Sequence, residues 1–362
     1  MSIVLIRSLY RQHRFIRQVP VVHKLHVNFS SDNKPKVSEV KSLVDTADKH
    51  KKYSRENVRL YVFTRFFDYI QNYDKVLEKN FPSAMHVYRV FMIGVKDFYA
   101  DMKKFFKITT IANSRGIKAL TRKEMELMHQ TPKDIMKVAP VLLIAALPFA
   151  NYVIFPIAYM YPRTFLTSHF WNLQQRVEFQ ELYLKDRTHY NRKIFRKLQE
   201  RLDSTKLSRC HKEFNYVLGL LGSGLHPSSS EIIEIKDIFL HRPFHIDSLS
   251  SSHLTYLCKL HGIHTLYLKR VRLSEHCYMM HNMDLAIKNE GGVHNLSIDA
   301  LTTACYLRGL NPVSLPQEEM IQWLQEWLTV SLNIGTEYIS LYIHLPILLT
   351  YNHPNNWRLT HK

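Results

Sequence analysis

Cysteine is sparse and unpatterned in this chain. Cys210, Cys258, Cys277 and Cys305 stand far apart in 362 residues, with no CxxC. That excludes a disulfide framework and a cysteine-based zinc site. Glycine is scarce, at 10 residues, and proline modest, at 14, so extended disorder is not expected away from the ends. There is no P-loop, no GxSxG, no dinucleotide glycine pattern and no paired-acid constellation, and nothing points to an enzyme, a cofactor or a small-molecule substrate. No D-x-[DN]-x-[DN]-G loop and no HExxH occurs among the 21 histidines. The closest pairs, His241/His245 and His261/His264, contain Pro243 and Gly262 respectively, so they read as surface or capping histidines rather than metal ligands.

Two further absences are local. Residues 1–31 contain no acid, while Arg7, Arg11, Arg14 and Arg17 fall on one side of a helix and Leu5, Leu9 and Ile16 help to form the other. An Arg-rich, acid-free, amphipathic start is the pattern of a mitochondrial transit peptide, and the arginines interrupt what a secretory signal would need as an apolar run. The second absence lies between Lys137 and Arg163, where 25 residues carry no charge.

What is present is positive charge and apolar mass. The formal charge is +18 and 46% of residues are hydrophobic. The charge favours anionic partners such as nucleic acid, anionic lipid or a ribosome, and it equally fits the bias of a matrix-exposed mitochondrial protein.

As one helix the uncharged stretch would reach about 37 Å, against roughly 30 Å of hydrocarbon. Eleven of its residues are Val, Leu, Ile or Phe, which favour insertion by roughly 3 to 7 kcal/mol. Pro148 and Pro156 are interior, and Asn151 is its one strongly polar side chain. In a bilayer the freed backbone groups can be satisfied locally, and an asparagine at that depth would seek a partner. The reading adopted is a single transmembrane helix over 137–163; the alternative is a buried core helix. Flanking charge does not orient it, since 100–137 and 163–200 carry nine and eight Lys/Arg.

At this point the sequence resembles a known family. "LTRKEMELMHQTPKDIMKVAPVLLIAALPFANYVIFPIAYMYPRTFLTSHFW" (120–171) is similar to the signature of the mitochondrial Letm family, including Pro148-Phe149 inside the stretch and the Tyr-Pro-Arg after it. "ACYLRGLNPVSLPQEEMIQWLQEWLTVSL" (304–332) resembles the family's Arg-Gly motif followed by its Trp-Leu helix. The resemblance implies an all-α, single-pass membrane protein of the mitochondrial inner membrane with a helical, matrix-facing Letm-type ribosome-binding domain. Long members of the family carry an acidic residue after the Pro-Phe, where this chain has Ala150 and Asn151. No ionisable group lies between Val138 and Pro162, which argues against ion exchange by this chain.

Local patterns fill in the rest. Apolar spacing of 3 and 4 predicts helices over Glu56–Asn80 and Met85–Ile108. Thr121 and Glu124 form a capping box, with Leu120 and Met125 as its staple. One long helix is expected over 172–202 and shorter ones over 231–240, 248–260, 264–288 and 297–308, with a loop over 220–230. Arg308-Gly309 reads as a helix end. Ser314 reads as an N-cap, with Pro316 in the first turn of a helix that lines up Met320, Trp323, Leu324, Trp327 and Leu328. Tyr338–Tyr351, interrupted by His344 and Pro346, reads as a buried terminal helix.

The expected organisation is therefore a transit peptide (1–31), a helical pre-membrane region (32–136), a transmembrane helix (137–163), a helical domain (164–352) and a tail (353–362). The expected function is a membrane-anchored mitochondrial interaction protein. Pro148, Phe149, Asn151 and Pro156 would mark the span, and Arg308, Gly309, Trp323 and Trp327 the partner-binding surface. The resemblance makes the partner a mitochondrial ribosome, beside membrane lipid and a possible second copy of the chain; DNA is not expected. The alternatives are a cation/proton transporter or its accessory subunit, a purely membrane-shaping protein, and an outer-membrane location.

Overall fold

The computed structural model describes residues 82–360 except Ala146, Pro148 and Phe149, with the side chains of 82–90, Asn151, Tyr152, Phe155 and Thr360 left aside. Segment 1–31, expected as a transit peptide, and the helix expected over Glu56–Asn80 lie outside the described residues. Among those described, every regular element is helical.

Helix α1 (Pro82–Arg115) is longer than its expected Met85–Ile108 core. It buries Val95, Phe98, Phe105 and Ile108, spaced as one helical face requires. Gly116, at φ 85°, takes the left-handed turn that ends it. A 3-10 turn leads to Thr121, and the capping box forms: the Thr121 amide donates to Glu124 Oε2 at 2.9 Å and the Glu124 amide to Thr121 Oγ1 at 3.4 Å. Helix α2 (Arg122–Ala145) then runs back along α1.

After two short helices, α3 (Asn151–Met160) and α4 (Pro162–Phe165), the one long helix expected over 172–202 is instead two helices. Asn172 and Gln175 cap α5 (Leu173–Thr188) reciprocally. At its end the Tyr190 amide takes the Arg187 carbonyl, a tightened turn that restarts the chain as α6 (Asn191–Gln199) and aims Ile194, Phe195 and Leu198 at the core.

Helices α7 (His211–Gly222), α8 (Ser229–Glu234), α9 (Ser251–Leu260), α10 (Lys269–Asn289), α11 (Ile298–Arg308), α12 (Gln317–Asn333), α13 (Ile339–Thr350) and α14 (Pro354–Thr360) complete the chain. Ser228, Ser250 and Ser297 cap α8, α9 and α11. Gly309, at φ 99°, closes α11 as the Arg-Gly pair predicts.

Two expectations need correction here. Ser314 does not cap α12. It sits at φ 60°, left-handed, and the helix begins at Gln317 after Pro316 with no side-chain cap; Glu318 and Glu319 place negative charge in its first turn instead. Nor is the stretch expected as a tail without structure: residues 354–360 of it form α14. Within α14 the Asn356 side chain accepts from the Asn311 amide at 2.8 Å and donates to the Gly309 carbonyl at 2.9 Å, while Asn355 donates to the Asn311 carbonyl at 3.0 Å. The loop after α11 has no helical partners for its backbone, and these two buried asparagines supply them.

The interior has two parts. The main core joins Phe105, Ile108, Met125 and Met128 of α1 and α2 to the buried faces of α6–α13. A second, smaller core joins Val95 and Phe98 to Val138, Val141, Ala145, Ile154, Ala158, Leu166, Phe170 and Trp171. In the second core α1 and the 168–170 turn approach so closely that a Cβ on Gly94 would lie 2.7 Å from Phe170 Cδ1 and 2.8 Å from the His169 carbonyl.

Candidate functional site

The uncharged stretch is not one helix. Its first arm is the end of α2, which stops at Ala145; the chain turns, and α3 returns from Asn151 to Met160 against α2. Pro148 and Phe149 are outside the described residues; Asn151 opens α3; Pro156 is exposed on it. Among the described residues no helix is long and apolar enough to cross a membrane.

The two flanking charges meet at the base. Lys137 Nζ donates to Tyr183 Oη at 3.0 Å, and that hydroxyl donates to the Arg163 carbonyl at 2.8 Å. The Arg163 guanidinium stands 4.8 Å from the Tyr183 ring centroid and pairs with Asp186 at 2.5 Å. Lys137 Nζ also lies 4.7 Å above the Trp171 ring, whose Nε1 donates to the Pro162 carbonyl at 3.2 Å. The arms therefore begin and end on the same two rings. Above this base, Leu143 (72% exposed), Val153 (62%) and Met160 (69%) face outward, as do Leu147 and Tyr159.

The flanks of the stretch are also interlocked. The Arg122 amide donates to Glu290 Oε1 at 2.8 Å, and the His129 ring lies 5.1 Å from that of His276. Further along, Phe91 lies 5.0 Å from Phe170, and His169 Nε2 lies 3.2 Å from Asp101 Oδ2. A single crossing at 137–163 would place these partners on opposite sides of about 30 Å of hydrocarbon. The single transmembrane helix expected from the sequence is corrected on this ground: run length measures apolar content, not direction.

The expected partner-binding residues lie inside. Asp284 of α10 is fully buried and accepts from four side chains on three other helices. Arg308 Nε donates to it at 3.0 Å, with a second guanidinium nitrogen also bonded; Trp327 Nε1 donates at 3.1 Å, Tyr342 Oη at 2.5 Å, and Ser331 Oγ completes the set. Burial first, then the Asp284 charge, hold the Tyr342 phenol well above its ordinary pKa, so it stays a donor. Trp323 stacks beside Trp327 at 5.7 Å and donates to the Leu349 carbonyl at 3.0 Å. Gly309 packs near Pro346 and the Arg187 guanidinium. Arg187 in turn donates to the carbonyls of Leu260, Tyr306 and Leu307, tying together the ends of α9 and α11. Arg308, Trp323 and Trp327 thus hold the domain together rather than face a partner. Of the expected surface histidines, His245 and His264 accept from nearby backbone amides, but His261 is interior and donates to the Ile343 carbonyl at 2.9 Å.

A different surface carries uncommitted charge. Arg192, Lys193 and Arg196 are exposed on α6 and Lys259 on α9, and among the described residues no carboxylate pairs with them. Tyr190 and Tyr256 stack between the two helices, 6.1 Å apart, with Lys193 Nζ 5.1 and 5.7 Å from their centroids. The signal in the sequence is the acid-free run His189–Gln199, with cations spaced 3 and 4 apart opposite Ile194, Phe195 and Leu198. What the run could not show is that Tyr256 and Lys259 join it.

A helical domain packed around one buried aspartate, with an apolar hairpin on a cationic base, defines the class; the comparisons give its family. Residues 120–348 match the family model described as LETM1-like, RBD, and the chain belongs to that family. It is similar to LETM1 domain-containing protein 1 of Bos taurus, 30% identical over 304 residues covering 82% of this chain and 84% of the relative. The Xenopus tropicalis protein of the same name is 30% identical over 78% of this chain and 82% of its own length. More distantly, the Mitochondrial proton/calcium exchanger protein of Drosophila melanogaster is 27% identical over 60% of this chain and 22% of its own length.

Proposed function

We propose that this chain is a membrane-tethered mitochondrial docking protein. The hairpin is its tether and the α6–α9 face its contact with the mitochondrial ribosome. The mitochondrial setting is supported by the acid-free arginine-rich start and by the names of relatives; the ribosome by the RBD of the family description. The observation that carries the docking face is the set of exposed cations Arg192, Lys193 and Arg196 on α6 and Lys259 on α9, with Lys193 over the stacked Tyr190–Tyr256 pair. Unpaired cations release counterions from an RNA backbone, and half-buried aromatic rings at the surface can stack on bases, so the face suits ribosomal RNA. A matrix-facing domain, as the family resemblance implies, would have the face within reach of ribosomes.

Co-sedimentation of the full chain with purified mitochondrial ribosomes at rising salt tests this. Binding is expected to weaken steeply with salt and to fall at least tenfold in Arg192→Glu/Arg196→Glu, with the thermal unfolding midpoint unchanged. Binding that ignores both salt and the charge reversal would overturn the docking face.

A further inference from the structure

We propose that the strap 262–268, between α9 and α10, is a lipid-contact loop that inserts Leu266 and Leu268 into an anionic bilayer and brings the phosphate of one phospholipid to the Arg272 guanidinium. The inference rests on the membrane setting of the preceding reading, though not on its hairpin, and adds a second contact with lipid.

Three observations carry it. The first is the guanidinium. Arg272, in the first turn of α10, is buried at 2% exposure. Its Nη1 is anchored: it donates to the His264 carbonyl at 3.2 Å and lies 3.0 Å from His264 Nδ1, which also accepts from the Leu266 amide at 3.2 Å. Its Nε and Nη2 are buried and have no partner, and among the described residues no carboxylate pairs with it. Those two nitrogens are the side-on fork by which arginine takes an oxyanion through two parallel bonds. A buried cation with that fork unpaired is costly, which suits a site whose counter-ion comes from outside the chain.

The second is the strap itself. Leu266, at 76% exposure, Tyr267 and Leu268 are three exposed side chains in a row, and Val271 follows them on α10. The Tyr267 ring lies over the guanidinium, 4.3 Å from its carbon. Leu268 is left-handed, at φ 51°, and α10 starts from it with no side-chain cap. That conformation is strained for a leucine, and it stands at the joint between the ring that closes the fork and the helix that carries it. The third is charge. No acid occurs between Asp247 and Glu275. Beside the strap, Lys269 donates to Thr255 Oγ1 at 2.8 Å, and Arg270 donates to the carbonyls of Ile246 at 3.2 Å and Leu249 at 2.9 Å. These acceptors are neutral, so both charges stay uncompensated.

A lipid surface fits this set better than a protein partner. Leucines for the acyl region, a tyrosine for the interface and three cations for phosphates are the chemistry of a bilayer edge. Three side chains on one strap fall far short of the about 800 Å² that each partner of a stable protein complex covers. As Leu266 and Leu268 insert, Tyr267 moves to the interface and uncovers the fork, and a lipid phosphate takes the place of the ring.

The test uses the full chain with Cys210→Ser, since the other three cysteines are buried, and Leu266→Cys carrying a nitrobenzoxadiazole probe. It is reconstituted into vesicles of phosphatidylcholine with or without phosphatidylglycerol, and flotation, probe emission and quenching by nitroxide-bearing lipid are read. With phosphatidylglycerol the emission is expected to shift to the blue and to be quenched; in phosphatidylcholine alone both effects should be several-fold weaker. Arg272→Lys, which keeps the charge and lacks the fork, should lose the quenching. Because Arg272 is interior, the exposed Arg270→Gln is read beside it and should weaken the quenching about fivefold, the effect of one cation at an anionic surface. A probe that stays in water while the protein floats overturns the strap and leaves the tether standing, and failure to float overturns both. Equal quenching in the two lipid mixtures, or in both variants, overturns the phosphate site. Loss of quenching on adding excess glycerol phosphate would show that a soluble phosphate takes the fork and would overturn the lipid.

Discussion

The two cores bury the same kinds of residues and treat polarity in opposite ways. The main core takes a carboxylate inside, at Asp284, and surrounds it with donors from α11, α12 and α13. The second core keeps its ions at one edge, at Lys137, Arg163 and Asp186, and leaves leucine, valine and methionine exposed beyond them. The first arrangement suits an interior surrounded by protein, where a buried ion needs every bond satisfied. The second suits a projection whose cover comes from elsewhere. The comparison shows that similar apolar content can end as a closed interior or as an exposed surface, depending on what encloses it.

Breaking the main core should have the largest effect. Asp284→Ala leaves the Arg308 guanidinium buried and unpaired, so a loss of about 3–5 kcal/mol is expected in urea unfolding, a large share of the about 5–15 kcal/mol that holds a domain folded. A loss below about 1 kcal/mol would show that the network contributes little.

Acid comes next and acts on the same core. Burial pushes the His261 and His344 imidazoles down to about 4. His344 accepts in a pair with His253, Nε2 to Nε2 at 3.0 Å, and its Nδ1 donates to the Ser340 carbonyl at 2.6 Å. In the unfolded chain these histidines titrate near 6.5, so below that pH the unfolded state binds more protons than the folded one. Stability should therefore fall as the pH drops from about 6.5 to about 4, by up to about 3 kcal/mol for each of these two histidines, and go on falling below that as burial holds His253 down to about 2. Denaturant midpoints across that range check this, and His261→Gln should flatten the slope. A slope of the opposite sign would mean that the protonated forms are accommodated.

The second core offers a smaller and more local break. Gly94→Val forces a side chain onto Phe170 and the His169 carbonyl, and overpacking of this kind costs about 1–3 kcal/mol. Hydrogen exchange should quicken around 91–98 and 166–171 while α10–α13 stay protected; faster exchange throughout would mean that the two cores unfold as one.

Smallest of all should be Leu143→Ser, on the exposed side of the hairpin. In lipid-free protein the unfolding free energy should move by no more than about 0.5 kcal/mol. A larger loss would show that protein, not lipid, covers that side chain.

Much of the local structure was legible in the residues themselves. The Thr121/Glu124 capping box, the α1 stripe, the Gly309 helix end and the apolar α13 depend on neighbours within about four positions, which is the reach of periodicity and capping. The candidate site was less legible. Arg308 and Trp327 were singled out, but their partner Asp284 lies 24 and 43 residues away, and nothing in the residue pattern says that an Arg-Gly end points inward. Ser314 misled because its residue type suits a cap, whereas its backbone is held left-handed by the loop. The α6 cations were visible as an acid-free run, but their pairing with Tyr256 and Lys259 depended on how α9 packs.

By itself, then, the sequence determined that this protein is helical, a few helix ends such as those at Thr121 and Gly309, its net positive charge and the presence of 25 uncharged residues between Lys137 and Arg163. Those follow from propensity, capping and composition, which are properties of short stretches. Only the tertiary structure decided that those two charges meet on Tyr183, that Arg308 is inside, and that residues before and after the apolar stretch share one core. The reason is physical: an apolar run has the same transfer free energy whether it continues straight or doubles back, so its direction is set by what the rest of the chain packs against.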